Sequence, residues 1–186
     1  MIDELERTYI YLYNRLHDEF MEAFMSLYYL QAMKELITLD ERISFRNEFI
    51  KFLVRDLKKK LCSQIFKLLL DNTNKTRRSL PYFVSFLRDT NMIDNSIDYL
   101  PDLFMSRELQ KEISTMRHVY ISHIGKEPAV DVLIKIEDLE SILCESAYFF
   151  DSLRVIGIFL IPTRFCESTL NNLKERCYVA IRDTFK

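Results

Sequence analysis

Glycine occurs only twice and proline only four times in 186 residues. An all-β chain needs many more turn residues, so this scarcity argues against sandwiches and barrels. It predicts a few long helices with short connections. Long apolar runs are missing as well. The longest, near Val155-Ile-Gly-Ile-Phe-Leu-Ile161, is too short to span a bilayer, and the chain does not open on a basic-then-apolar leader. The expectation is a cytoplasmic protein with no membrane partner. Cysteine pairs are absent too: Cys62, Cys144, Cys166 and Cys177 lie far apart with no Cys-x-x-Cys. That argues against structural zinc and for free, buried thiols. There is no Gly-rich phosphate loop, no Gly-x-Ser-x-Gly and no His-Glu-x-x-His. Carboxylate pairs such as Glu137/Glu140 and Asp138/Glu140 have no histidine at ligand spacing, and solvated helix faces explain them better. No cofactor and no metal are expected.

What is present is an ordinary globular balance, 48% hydrophobic and 29% charged. The length suits one complete core, so residues 1–186 read as a single helical domain. The net charge of −2 excludes a globally basic nucleic-acid binder. Basic residues nevertheless cluster at Arg55, Lys58, Lys59 and Lys60, and again at Lys75, Arg77 and Arg78. Each cluster reads first as a solvated helix face. A local electropositive groove is the alternative, because a few phosphate contacts do not require a basic protein.

Taken in order, the first helix is predicted from Ile2 to about Ile37, with Leu5, Tyr9, Leu12, Leu16, Phe20, Phe24, Leu27 and Leu30 on one face. Its many tyrosines either flank the core or face a second subunit. His17 reads as a surface residue paired with a carboxylate. A second helix, from about Asp40 or Ser44 to Leu70, is expected to turn Phe45, Phe49, Phe52, Leu53, Leu57, Leu61, Ile65, Leu68 and Leu69 inward. Ser79 reads as the N-cap of a short third helix with Pro81 in its first turn. Residues 91–100 read as an irregular link. A fourth helix should start at Pro101 or Asp102, bury Leu103, Phe104, Leu109, Ile113 and Met116, and deliver Arg117. The fifth should open near Ile136, pass Phe150 and extend towards Leu160. The last should run from about Arg164 to Phe185. The fold class is all-α: one up-and-down bundle of five or six helices.

Two of the three histidines fall in Glu112-Ile-Ser-Thr-Met-Arg-His-Val-Tyr-Ile-Ser-His123. Arg117, His118 and His123 lie near the end of the fourth helix, ahead of Gly125 and Pro128. On a continuous helix Arg117 and His123 stand roughly 120° and about 9 Å apart. They converge if the helix frays or bends before His123, or if a second copy completes the site. An imidazole that titrates near neutrality suits general acid–base work, and a guanidinium suits a phosphate. The plainer alternative is a salt-bridging arginine and a histidine at a helix C-terminus.

Arg117-x5-His123, with polar His118 directly after the arginine, resembles the Arg-x4-6-His signature of the HEPN superfamily. The order of elements around it resembles the AbiU2-like branch, found in phage-defence and toxin–antitoxin systems. The chain differs from the family's frequent pattern at Val119 and Ser122, and at Gly125 from HEPN toxins that have a tyrosine there. The resemblance implies a HEPN-like bundle, homodimeric, with a cognate antitoxin protein as a further partner. It implies a metal-independent endoribonuclease acting on an RNA substrate. His123 is then the base, Arg117 the phosphate anchor, and His118 a second phosphate donor or a polar filler. The alternative function is a non-catalytic HEPN-like module that binds RNA or protein.

Overall fold

The computed structural model describes residues 4–39, 44–71, 78–94, 97, 99–122, 134–153 and 165–185. All regular structure among them is helical. α1 (Glu4–Leu39) is the axis. Its 36 residues extend for about 54 Å. Tyr9, Leu12, Tyr13, Leu16, Phe20, Phe24 and Leu27 recur in threes and fours and are all buried. Farther along, Tyr28, Leu30, Ala32 and Met33 are buried too, because α1 meets several helices and must be apolar on more than one side. Tyr9, Tyr13 and Tyr28 therefore belong to the core. Of the tyrosines on α1 only Tyr11 is exposed, at 51%, with Arg15 5.5 Å above its ring.

The core beside α1 is aromatic. Phe150 stacks on Tyr13 at 4.5 Å and on Phe20 at 5.5 Å between centroids. Phe83 meets Phe150 edge-on at 5.6 Å, and Phe165 lies 5.6 Å from Phe20 and 5.7 Å from Phe24. These rings come from α1, from α3 (Leu80–Asp89), from α5 (Ile136–Ser152) and from the residues preceding α6 (Glu167–Thr184). Each such pair adds about 0.5–1.5 kcal/mol beyond the area buried. Asp151 supplies the polar fastening: it accepts from Tyr13 Oη at 3.3 Å and from the Phe165 N–H at 2.8 Å. His17 is drawn into the same assembly. Its side chain is only 13% exposed, its ring lies 4.9 Å from Phe165, and Asp18 sits 3.9 Å from Nδ1. It is a packing residue with a carboxylate neighbour rather than a surface one.

α2 (Ser44–Ile65) buries Ile50, Leu61, Cys62 and Ile65. Phe49 and Phe52, expected inward, are 50% and 54% exposed. The first half of this helix has more apolar residues than one face can hold, and the Ile50–Leu53–Leu57–Leu61 row takes the core side. The helix then widens into a π turn, Phe66–Leu70, closed by the Asp71 N–H donating to the Phe66 carbonyl at 3.0 Å. Leu68 and Leu69 are both fully buried in that turn.

α3 ends in a Schellman motif. Asn91 takes φ 55°, the Met92 N–H reaches the Leu87 carbonyl at 2.8 Å, and the Asn91 N–H reaches the Arg88 carbonyl at 2.9 Å. The start of α4 corrects the expectation from Pro101. Pro101–Leu103 forms a separate 3-10 turn, and α4 runs Arg107–Ser122. Ser106 is the true N-cap, since its Oγ accepts from the Leu109 N–H at 3.3 Å. Asp102 accepts from Gln110 at 2.6 Å and pairs with Arg107 at 3.4 Å, tying the 3-10 turn to the helix. Leu103 is consequently 55% exposed rather than in the core. α5 stops at Ser152, with the Leu153 N–H bonded to the Phe150 carbonyl; residues 154–164 lie outside the described part. Tyr178 of α6 donates to Glu35 of α1 at 3.0 Å.

Replacing Phe150 by alanine is expected to lower the free energy of unfolding by about 3–5 kcal/mol. Phe49→Ala, on the exposed side of α2, should change it by less than about 0.5 kcal/mol. Urea denaturation of the two variants beside the parent checks both. Similar losses at the two positions would contradict this assignment of the core.

Candidate functional site

With Ser106 capping α4, the 3.6-residue repeat sets the direction of each later side chain on that helix. Ile113 and Met116 turn into the core. Arg117 is the next position, rotated by about 100°, and is half-buried beside the end of α2. Its guanidinium carbon stands 4.2 Å from the centroid of Phe66, the first residue of the π turn. That is close cation–π stacking, worth about 0.5–2 kcal/mol. Among the described residues no carboxylate pairs with Arg117 at ion-pair distance. π turns of this kind are frequent at functional sites.

The turn beneath Arg117 is held on other sides too. Glu19 of α1, with its side chain 11% exposed, pairs with Lys67 at 2.7 Å and with Arg78 at 3.1 Å. Tyr99 Oη donates to the Leu69 carbonyl at 2.7 Å. Burial pushes the Tyr99 phenol far above its ordinary pKa, so it remains a donor.

His118, one position on, is exposed, so consecutive residues divide between the α2 side and solvent. His123 lies outside the described residues. The helix is continuous from Arg117 through Ser122, which rules out fraying within that stretch. Of the basic clusters, Arg78 is taken up by Glu19, Arg55 and Lys60 are exposed, and Lys58 and Lys59 are half-buried; Lys75 and Arg77 lie outside the described part. Phe66 is the site residue that sequence reasoning missed. Its one available signal was position, because it falls beside the Leu61–Ile65–Leu68 row rather than on it.

Among the described residues no three His, Cys, Asp or Glu side chains are grouped to hold a metal ion. Nor is any helix among them long and apolar enough to cross a membrane. No protein-family model matches the chain, and no curated protein or solved structure is significantly similar to it.

The cysteines correct one expectation. Cys62 and Cys177 are buried and Cys144 is half-buried, but Cys166 is exposed at the N-cap of α6. Hydrogen bonds with Ser168 and Thr169, both at 3.1 Å, favour its thiolate and lower its pKa to about 7. Burial pushes the Cys62 thiol up to about 12, with Lys58 opposing weakly. In the folded protein Cys166 should therefore react first with iodoacetamide. Its rate should rise with pH through about 7 as the thiol deprotonates. Peptide mass spectrometry after timed alkylation measures this, and equal labelling of Cys62 and Cys166 in the native state would contradict it.

Proposed function

We propose that this chain is a metal-independent endoribonuclease of HEPN type, a cytoplasmic, toxin-like effector of a phage-defence or toxin–antitoxin system. The observation that carries the reading is Arg117. Its guanidinium lies over the Phe66 ring near the end of an all-helical bundle's fourth helix, without a carboxylate partner among the described residues, and His123 comes six residues later, at the HEPN spacing. An anchored guanidinium edge suits two-point binding of a phosphate. In this reading the His123 imidazole takes the proton of a ribose 2′-hydroxyl. The 2′-oxygen attacks the adjacent phosphorus, and the bond to the 5′-oxygen breaks. Arg117 holds the phosphate oxygens as negative charge builds. The 5′-oxygen leaves and takes a proton from water, whose hydroxide is neutralised by the proton held on His123, and the upstream fragment ends in a 2′,3′-cyclic phosphate. The need for a 2′-hydroxyl selects RNA, with single-stranded regions reaching in-line geometry most readily.

The continuity of α4 through Ser122 favours a site completed across a two-fold axis, with Arg117 of one copy beside His123 of its partner. The protein is then an isologous homodimer. A cognate antitoxin protein would be a further partner. A second reading, a non-catalytic module that binds RNA, is favoured by the basic stretch between Lys51 and Lys60.

Alanine at His123 or Arg117 should leave the fold intact and reduce cleavage of total cellular RNA by about 10²–10⁴. Arg117→Lys should also impair it, because an ammonium cannot make the planar contact. Activity should survive excess chelator. Mixing the Arg117→Ala and His123→Ala proteins should restore about one quarter of parental activity if random re-pairing makes half the dimers mixed, each with one intact site. Cutting by His123→Ala at the parental rate, or its abolition by chelator, would remove His123 as the base. Absence of complementation would remove the shared site.

A further inference from the structure

Phe52, Lys59 and Phe66 are separated by seven residues each. On a helix that spacing returns to nearly the same face, drifting about 20° per step. The row extends for about 21 Å along α2 to the first residue of the π turn. At one end Arg55 lies 5.9 Å above the Phe52 ring; at the other Arg117 lies 4.2 Å above Phe66. Lys59 stands midway, with Lys60 beside it. Between Lys51 and Lys60 the chain has four lysines and one arginine against a single acid, Asp56, although the whole molecule is net negative. Lys51 is matched locally by Glu48 at 2.7 Å. The flank of α4 next to Arg117 carries Gln110 and Ser114, whereas Glu108 and Glu112 fall about 140–180° away.

We infer that this face is a track for single-stranded RNA, leading from the Phe52–Arg55 pair along Lys59 to Arg117. The inference rests on RNA being the ligand of this chain. A phenyl ring more than half exposed, with a guanidinium over it, offers flat surfaces on which a base stacks. Lys59 on this row, with Arg55 and Arg117 at its two ends, offers cations to successive phosphates. A partner held by hydrophobic contact alone would give no reason for charge of one sign here. An acidic protein would not need exposed rings interleaved with that charge.

The test uses the full chain carrying His123→Ala, so that the probe is not consumed, and a labelled single-stranded oligouridylate read by fluorescence anisotropy. Phe52→Ala should weaken binding roughly tenfold. Lys59→Glu should weaken it and flatten the dependence of log K on log salt by at least about 0.7. Both substitutions lie on the outer face of α2, and circular dichroism should show both variants folded. The track is wrong if the oligouridylate does not bind, if both variants bind like the parent, or if duplex RNA of the same length binds as tightly. It is also wrong if light scattering shows that Phe52→Ala splits a dimer, since the face would then join two copies. Failure here and failure of the nuclease reading are separable. Cleavage that persists with binding indifferent to Phe52 and Lys59 overturns the track alone. Binding that depends on both residues, in a parent that cuts nothing, overturns the nuclease alone.

Discussion

The bundle depends on the stacking of Phe150 against Tyr13 and Phe20. α1 offers a row of rings and leucines at three- and four-residue intervals, and α5 reaches into it with one ring that touches both of these α1 side chains. Phe83 from α3 and Phe165, just ahead of α6, close on the same ring. Removing such a ring leaves a cavity that several helices would have to collapse around, and close-packed interiors relax only partly. Asp151 is the next residue after Phe150, so the polar clasp to Tyr13 and Phe165 depends on the same placement.

A second constraint acts at the end of α2. The π turn is gripped from three directions, by Glu19 through Lys67, by Tyr99 through the Leu69 carbonyl, and by Arg117 through Phe66. Glu19 belongs to α1, Arg117 to α4 and Tyr99 to the link before α4. The turn thus couples the axis of the bundle to the helix that bears the candidate phosphate anchor. Fixing an arginine on an aromatic platform reduces the side-chain freedom it would lose on meeting a ligand. Under the proposed reading this gives the local irregularity a physical use, whether RNA is cut or only held.

Helix content and the main buried row of α1 were legible because both depend on residue type and spacing. Too few glycines and prolines exist for strands and hairpins, and Leu12, Leu16, Phe20, Phe24 and Leu27 all fall where the period puts them. Phe49 and Phe52 share the apolar periodicity of α2 yet are exposed. Periodicity finds apolar residues, but it cannot say which of two apolar rows the neighbouring helices will cover. The start of α4 shows a local competition. Pro101 is a fair first-turn residue, yet Ser106 satisfies an N–H that Pro101 does not. Cys166 escaped because a thiol's exposure depends on where the chain enters α6.

The sequence by itself determined an all-helical chain and the order of its helices, and it marked Arg117, His118 and His123 as candidates by their functional groups. Those properties are local: they depend on composition, on a 3.6-residue period and on functional-group chemistry. Only the tertiary structure decided that Arg117 rests on Phe66, that His118 faces solvent and that Phe52 is left uncovered. Each of these joins residues far apart in the chain or selects among faces of one helix. Such choices are settled by which surfaces pack together, and no short stretch of sequence contains that information.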